Sequence, residues 1–274
     1  MMPLAALGLA YALAGCTAAP APPAAAVSVE LCSETYRGVA YTWVRADPAR
    51  VRVQAYWRDE HGRPIRSLTG LQRWLAGRGQ VMLAGMNGGI FHTDATPAGL
   101  LVSEENVQDP LNEHAAAPSP GQRGNFYVQP NGVFFATTDG ALHITTTPGA
   151  KAFLDRMTAA TQSGPLLVQN GRLTPAFRSA DTLSAWTGSA AQRARELPAG
   201  LPTRNAVCLG RDGTLYLVLT ESGVRGDPFA RFLRDRLRCR DALFLDGSYS
   251  ALHVPGRRTA ARGDLVTLLA VLPR

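Results

Sequence analysis

The sequence predicts an α+β domain in which antiparallel and mixed β-hairpins pack with a few helices. Apolar runs of strand length are joined by strong turn signals, Pro130-Asn131-Gly132, Asp139-Gly140, Asn170-Gly171 and Asp212-Gly213. Helix-periodic stretches are few and stand apart, and there is no regular strand–helix alternation of the kind that builds parallel sheets. The chain has 274 residues, 46% hydrophobic and 18% charged, which describes a globular protein with a sizeable core. We read one folded unit over 31–274, behind a signal peptide at 1–15 and a Pro/Ala-rich tether at 16–30.

At the front, Met1 to Ala14 is apolar and too short to span a bilayer. It ends in Leu13-Ala14-Gly15-Cys16, which resembles a bacterial lipoprotein signal and implies cleavage before Cys16 and acylation of that cysteine. The expectation is an exported protein of the bacterial cell envelope, anchored in the lipid bilayer through Cys16 and facing the periplasm. An exported chain can keep disulfides. Cys208 sits in the apolar strand pattern Ala206-Val207-Cys208-Leu209, where a free thiol behaves as a small hydrophobe, whereas Cys32 and Cys239 lie in polar contexts at element edges. A Cys32–Cys239 bridge is therefore expected. Without Cys-x-x-Cys or His-Glu-x-x-His, a zinc site is not.

Along the folded part, alternation predicts strands from Val39 to Arg45 and through Val51, Val53, Ala55 and Trp57. Ser67 reads as the N-cap of a helix with Leu68, Leu71, Trp74 and Leu75 on its buried stripe, ending at Gly77. Val81 to Ala84 reads as a buried strand delivering Asn87, Gly99 to Val102 as another, and Asp109 to Gly124 as a long polar loop. Asn125 to Gln129, Val133 to Thr137 and Ala141 to Thr146 form hairpins, Pro148 to Ala160 a helix, and Pro165 to Gln169 a strand. Arg178 to Leu201, with Trp186, reads as loop with room for a short helix. Arg204 to Gly210 and Thr214 to Thr220 make a hairpin, Asp227-Pro228 starts a helix with Phe229, Phe232, Leu233 and Leu237 inward, and Asp241 to Leu245 and Leu265 to Leu272 are the last strands.

The formal net charge of +7 comes almost wholly from arginine, Lys151 being the only lysine. Guanidinium forks suit phosphate and carboxylate, so an anionic substrate fits; the arginines are scattered, which argues against a nucleic-acid groove. There is no Gly-x-Ser-x-Gly elbow, Walker loop or dinucleotide fingerprint, so serine hydrolases, NTPases and nicotinamide enzymes are poor candidates. What remains are polar residues beside glycines at strand ends. The paired glycines after Asn87 are expected to take positive φ or to let a ligand approach the main chain. A second such strand end, Leu245-Asp246-Gly247-Ser248, can line the same pocket.

These pieces resemble the phosphodiester glycosidase family: Asn87-Gly88-Gly89-Ile90-Phe91, Gln162-Ser163-Gly164-Pro165, Arg204-Asn205 ahead of Asp212-Gly213, and Leu245-Asp246-Gly247-Ser248. Gly124-Asn125-Phe126-Tyr127 and Phe229-Ala230 are similar to its bacterial branch. The resemblance runs from about Tyr36 to Leu272 and implies a hydrolase that cleaves between a sugar's anomeric carbon and a phosphodiester oxygen. In that reading Arg204 forks the phosphate, Asp246 is nucleophile or general base, and Asn87, Gly88, Gly89, Ser163 and Gly164 hold sugar and phosphate oxygens, with Gln162, Gly247 and Ser248 beside them.

Glu221 and His92 are spare candidates for proton transfer, though the first reading of each is structural, a strand-end surface charge and a loop residue hydrogen-bonded to the backbone. No cofactor is called for; a divalent cation could bridge Asp246 and phosphate, but no ligand spacing demands one. The expected partner is an envelope or exopolysaccharide glycan bearing a sugar-1-phosphodiester, with no obligate protein partner. The alternative is a non-catalytic envelope lipoprotein that binds an anionic glycan. An open cleft where Asp246, Arg204 and Asn87 meet favours hydrolysis, and a sealed Asp246 favours binding.

Overall fold

A computed structural model describes residues 29–113, 131–175, 202–247, 249–256 and 264–274, and the backbone alone at 15–18. The lipoprotein-like segment 1–14, the strand expected at 125–129, the segment 178–201 with Trp186, and Ser248 lie outside the described residues.

Three sheets make the body. The largest runs β1 (Gly15–Ala18), β2 (Val29–Tyr36), β3 (Val39–Ala46), β14 (Leu215–Thr220), β13 (Asn205–Gly210), β15 (Cys239–Phe244), β11 (Leu166–Gln169), β12 (Arg172–Leu173). A second runs β7 (Asn106–Asp109), β6 (Leu101–Ser103), β10 (Met157–Ser163), β8 (Gly132–Thr137), β9 (Leu142–Thr146). The third runs β16 (Leu252–His253), β5 (Ala84–Asn87), β17 (Leu268–Pro273), β4 (Val51–Tyr56). Every strand pairing among the described residues is antiparallel, so the expected hairpin architecture is present and its mixed component is not.

Period-two alternation sets what each strand buries. Val207 and Leu209 of β13, Leu215, Leu217 and Leu219 of β14, and Leu243 of β15 turn into a central core shared with Val51 and Val53 of β4 and Phe134 of β8. Their neighbours Ala206, Cys208, Val218, Ala242 and Phe244 face the opposite way, where helix α3 (Gly226–Asp235) covers them with Phe229, Phe232 and Leu233. Tyr41 and Phe232 stack there with centroids 3.7 Å apart. Helix α1 (Leu68–Gly77) closes the outer face of the third sheet through Leu68, Leu71 and Leu75, packed with Tyr56 and Leu268. Its N-cap is Ser67 as expected, whose Oγ accepts from the Gly70 amide at 3.0 Å.

Some expectations fail for identifiable reasons. The helix expected over Pro148 to Ala160 is only α2 (Thr147–Ala150) and a 3-10 turn at Lys151–Arg156, after which Met157–Ser163 is the central strand β10. Phe153, Leu154 and Met157 mimic a helical stripe, but Leu154 is 38% exposed, and β10 gains ladders to β6 and β8 that a helix would forgo. Val81 is 49% exposed, and the strand that carries Asn87 begins at Ala84.

The Cys32–Cys239 bridge is also incorrect: Cys239 is bridged to Cys208, with Cα atoms 5.8 Å apart across neighbouring strands β13 and β15. The flanking Arg238 and Arg240 give Cys239 a polar sequence context, yet strand alternation turns its side chain inward to 1% exposure. Cys32 is itself disulfide-bonded, and in the β1–β2 register it stands opposite Cys16.

Candidate active site

The polar strand ends meet where the three sheets adjoin. Asn87 is the last residue of β5, Asn205 the first of β13, Ser163 the last of β10, and Asp246 lies two residues past β15. Antiparallel pairing of Ala206 with Phe244 puts the start of β13 beside the end of β15.

Asn205 joins them. Its Nδ2 donates to Asn87 Oδ1 at 2.8 Å and to the Asn87 carbonyl at 3.3 Å, while its Oδ1 accepts from the Asp246 amide at 2.8 Å. Asn87 Oδ1 also accepts from the Ala251 amide at 2.7 Å, which ties β5 to the segment after Asp246. Ser250 Oγ donates to the Asp246 carbonyl at 2.9 Å, and Ser163 Oγ to the Leu245 carbonyl at 2.9 Å. Phe91 and Tyr249 meet with ring centroids 5.5 Å apart, so the two glycine-bearing loops touch.

Arg204 precedes β13. Its amide donates to Thr220 Oγ1 at 2.8 Å, its Nε donates to the Val224 carbonyl at 2.8 Å, and its guanidinium carbon lies 5.5 Å from the Phe244 ring centroid. Burial pulls its pKa down to about 10, which still leaves it charged at neutral pH. Asp246 Oδ1 accepts from the Tyr249 amide at 3.2 Å, a turn-capping bond within its own loop. All four residues are enclosed: Asn87 and Arg204 are 3% exposed, Asn205 0% and Asp246 6%, but the Arg204 guanidinium lies beside Phe244 and Val224, on the face of the sheet that α3 covers.

The glycines serve packing. Neither Gly88 nor Gly89 has positive φ. A Cβ on Gly89 would lie 2.1 Å from the Gln162 carbonyl oxygen, and one on Gly88 would lie 2.8 Å from Thr267 Oγ1. The neighbour that needs a bare backbone is thus the chain itself. The loop is pinned by the Gly88 amide to the Thr267 carbonyl at 2.7 Å, the Gly89 amide to Thr161 Oγ1 at 2.9 Å, and Thr267 Oγ1 to the Gly89 carbonyl at 2.8 Å.

Gln162 is turned away and its amide is spent on the chain. Oε1 accepts from the Leu100 and Asn112 amides, each at 2.9 Å, and Nε2 donates to the Asn112 carbonyl at 2.9 Å and to Thr147 Oγ1 at 3.0 Å. Gly164 is buried beside Ser163, before Pro165, and Gly247 is buried beside Asp246. His92 and Glu221 are exposed; the His92 amide bonds the Thr96 carbonyl, and the Glu221 amide bonds the Ala40 carbonyl. Sequence reasoning missed Asn205 as a site residue, although it stood in the Arg204-Asn205 pair.

The model of the phosphodiester glycosidase family matches residues 81–263, a span that contains Asn87, Ser163, Arg204, Asn205 and Asp246. The chain is 28% identical over 255 residues to the uncharacterized protein YigE of Escherichia coli K12, covering 91% of this chain and 88% of that one. Among solved structures it is similar to the catalytic domain of zebrafish N-acetylglucosamine-1-phosphodiester alpha-N-acetylglucosaminidase, auto-inhibited by its pro-peptide, with TM-score 0.56 and 17% identity, covering 95% of this chain and 88% of that one. A hypothetical protein from Synechocystis matches with TM-score 0.56 and 15% identity over 90% of this chain, which spans 62% of that protein's length.

Proposed function

We propose, from the premise that this chain belongs to the phosphodiester glycosidase family of hydrolases, that it releases a sugar held through its anomeric oxygen to phosphate on a glycan of the bacterial cell envelope or exopolysaccharide. The observation that carries this reading is the meeting of Asn87, Asn205 and Asp246 through one amide, with Arg204 next in sequence to Asn205.

In the proposed chemistry the bond between the sugar's anomeric carbon and the phosphodiester oxygen breaks, and the electron pair leaves with the phosphate. Arg204 would offer its charge to that departing anion, in a buried setting where each charge interaction is stronger than in water. Asp246 would meet the electron-poor carbon, as nucleophile or as the base that activates water. A phosphate leaves as a stable anion, so one essential carboxylate suffices. Glu221 and His92, exposed at the loops nearby, would serve only in proton exchange with solvent.

The test is release of sugar from UDP-N-acetylglucosamine and from a model sugar-1-phosphodiester. Asp246→Asn should lower turnover by about 100-fold or more. It should leave the chain folded, because an amide oxygen can still accept from the Tyr249 amide. Equal rates would remove Asp246 from the chemistry. The 6% exposure of Asp246 supports a second reading, a binding lipoprotein that holds an anionic glycan without cleaving it. Saturable glycan binding with no product at any enzyme concentration would favour that reading.

The Cys208–Cys239 disulfide supports an oxidising compartment. Among the described residues no helix is long and apolar enough to cross a membrane. Anchoring through an acylated Cys16 belongs to the same proposal, with a rival use of that residue: Cys16 stands opposite the disulfide-bonded Cys32. Mass spectrometry of the mature N-terminal peptide, with and without reduction, separates an acyl thioether from a cystine.

A further inference from the structure

We infer that the protein carries a second sugar-binding site, an aromatic depression that takes one neutral pyranose unit of a glycan. The inference goes beyond the hydrolytic reading and does not need it, because it concerns a ring that bears no phosphate. The depression, about 220 Å³, lies between the end of β4, helix α1 and the β6–β7 hairpin. It is smaller than the sites that hold drug-sized ligands and suits a single ring.

Its lining is aromatic and polar in the mixture a sugar requires. Trp57 and Trp74, both part-exposed, supply apolar surface for the C–H face of a ring, and the buried Tyr56 meets Trp74 edge-on with centroids 5.2 Å apart. Arg58 lies over the Trp57 ring at 3.9 Å and Arg78 over the Trp74 ring at 4.5 Å, placing guanidinium donors among the aromatics. Trp74 Nε1 donates to Glu60 Oε2 at 2.6 Å, which holds the indole and puts a carboxylate beside it.

Two observations point to a ligand of this class. Tyr56 is 1% exposed, and its hydroxyl has no hydrogen-bond partner although it lines the depression. A buried hydroxyl left so costs about 1–3 kcal/mol, which a ligand hydroxyl within reach would recover. The charges also disfavour an anion: the lining holds three carboxylates, Asp59, Glu60 and Glu104, against the two guanidiniums of Arg58 and Arg78, and Arg78 already pairs with Glu104 at 2.9 Å. A lining with that balance selects a neutral polyol over a second phosphate.

The depression is near the catalytic cluster without being part of it. Leu268 of β17 is the register partner of both Tyr56 in β4 and Asn87 in β5. Tyr56 therefore stands two strand spacings from Asn87, about 10 Å. A glycan held at the cluster and a ring held here can belong to one polymer.

The test uses the full chain, labelled with nitrogen-15, titrated with maltotriose, chitotriose and mannotriose. The indole N–H resonances of Trp57 and Trp74 are assigned through Trp57→Phe and Trp74→Phe. Binding predicts saturable shifts of both resonances with at least one trisaccharide, at a dissociation constant of about 1 mM or tighter, while the buried Trp43 does not move. Trp57→Ala, or Arg58→Ala on the exposed rim should the former fail to fold, should weaken binding at least 10-fold and leave hydrolysis of a small sugar-1-phosphodiester unchanged. No indole shift with any of the three up to about 10 mM overturns the inference. Shifts that persist at full strength in both variants overturn it as well. Loss of hydrolysis with intact indole shifts would instead count against the hydrolytic reading alone.

Discussion

Asn205 Nδ2 donates to Asn87 Oδ1 at 2.8 Å across 118 residues of sequence, and the other end of the same amide accepts from the backbone of Asp246. One side chain at 0% exposure thus fixes the relative positions of two strand ends from different sheets.

Replacing Asn205 should therefore damage stability and activity together. Asn205→Ala leaves the buried Asp246 amide without its acceptor and removes a donor from Asn87, at about 1–3 kcal/mol for each group stranded. Urea unfolding should show a loss of about 2–4 kcal/mol with an unchanged m-value. Asn205→Asp keeps the acceptor but sets a carboxylate against Asn87 Oδ1 and the Asn87 carbonyl, and should reduce hydrolysis at least as far as the alanine variant.

Gly89→Ala should be among the worst single substitutions in the chain. The added carbon would sit 2.1 Å from the Gln162 carbonyl oxygen, a backbone atom held within the β8–β10 ladder. Overpacking that only a backbone shift can relieve costs about 3 kcal/mol or more. At Gly38 nothing lies within 4 Å of such a carbon, and only its φ of +79° opposes substitution. Gly38→Ala should accordingly cost about 1 kcal/mol, and thermal melts of the two variants side by side give the contrast.

Stability should fall on mild acidification. Burial is the leading cause that holds both His143 and His253 below the ordinary value of 6.5. The unfolded chain takes up protons near that value while the folded chain resists, so stability is full above pH 6.5 and declines as pH drops toward the folded values. The exposed carboxylates of Asp94 and Asp139 titrate below 3.8 and leave this window alone. Urea midpoints at about pH 7.5 and about pH 5.5 should differ, and His253→Gln should narrow the difference.

Removing the disulfide should cost stability more than activity. Cys208 and Cys239 enclose a loop with a sequence separation of 31, for which the chain-entropy argument gives about 3–4 kcal/mol. Cys208→Ala with Cys239→Ala should lower the unfolding free energy by at least that much. Turnover at a temperature where the variant is folded should stay within about 3-fold of the parent, because both sulfurs lie on the α3 side of the sheet, away from Asn205.

Local signals reached a long way into this fold. Asp212-Gly213 marks the β13–β14 hairpin, Ser67 caps α1, and Phe229, Phe232 and Leu233 face inward on α3 because each follows from spacing or turn chemistry within a few residues. The junction of Asn87 with Asp246 was legible because both close apolar runs with polar and glycine residues. What local signals could not carry was partner choice across the chain. Whether Cys208 pairs with Cys32 or Cys239 depends on which strand lies beside β13, and no periodicity encodes that. Gln162 looks like a ligand-facing amide in sequence, and only the placement of Asn112, Leu100 and Thr147 reveals that its hydrogen-bonding capacity is used up. Tyr56 reads as an ordinary strand aromatic until its hydroxyl is found without a partner.

Ser163 bonded to the Leu245 carbonyl, Gly89 bonded to Thr161 and Asn205 bonded to Asn87 each stitch one sheet to another. Such long-range closures form late in folding, after the local hairpins exist. Catalytic competence should then return after the far-ultraviolet signal in a refolding time course. A hairpin-containing intermediate would already look structured spectroscopically while still unable to turn over substrate, so recovered activity is the more demanding measure of a native preparation.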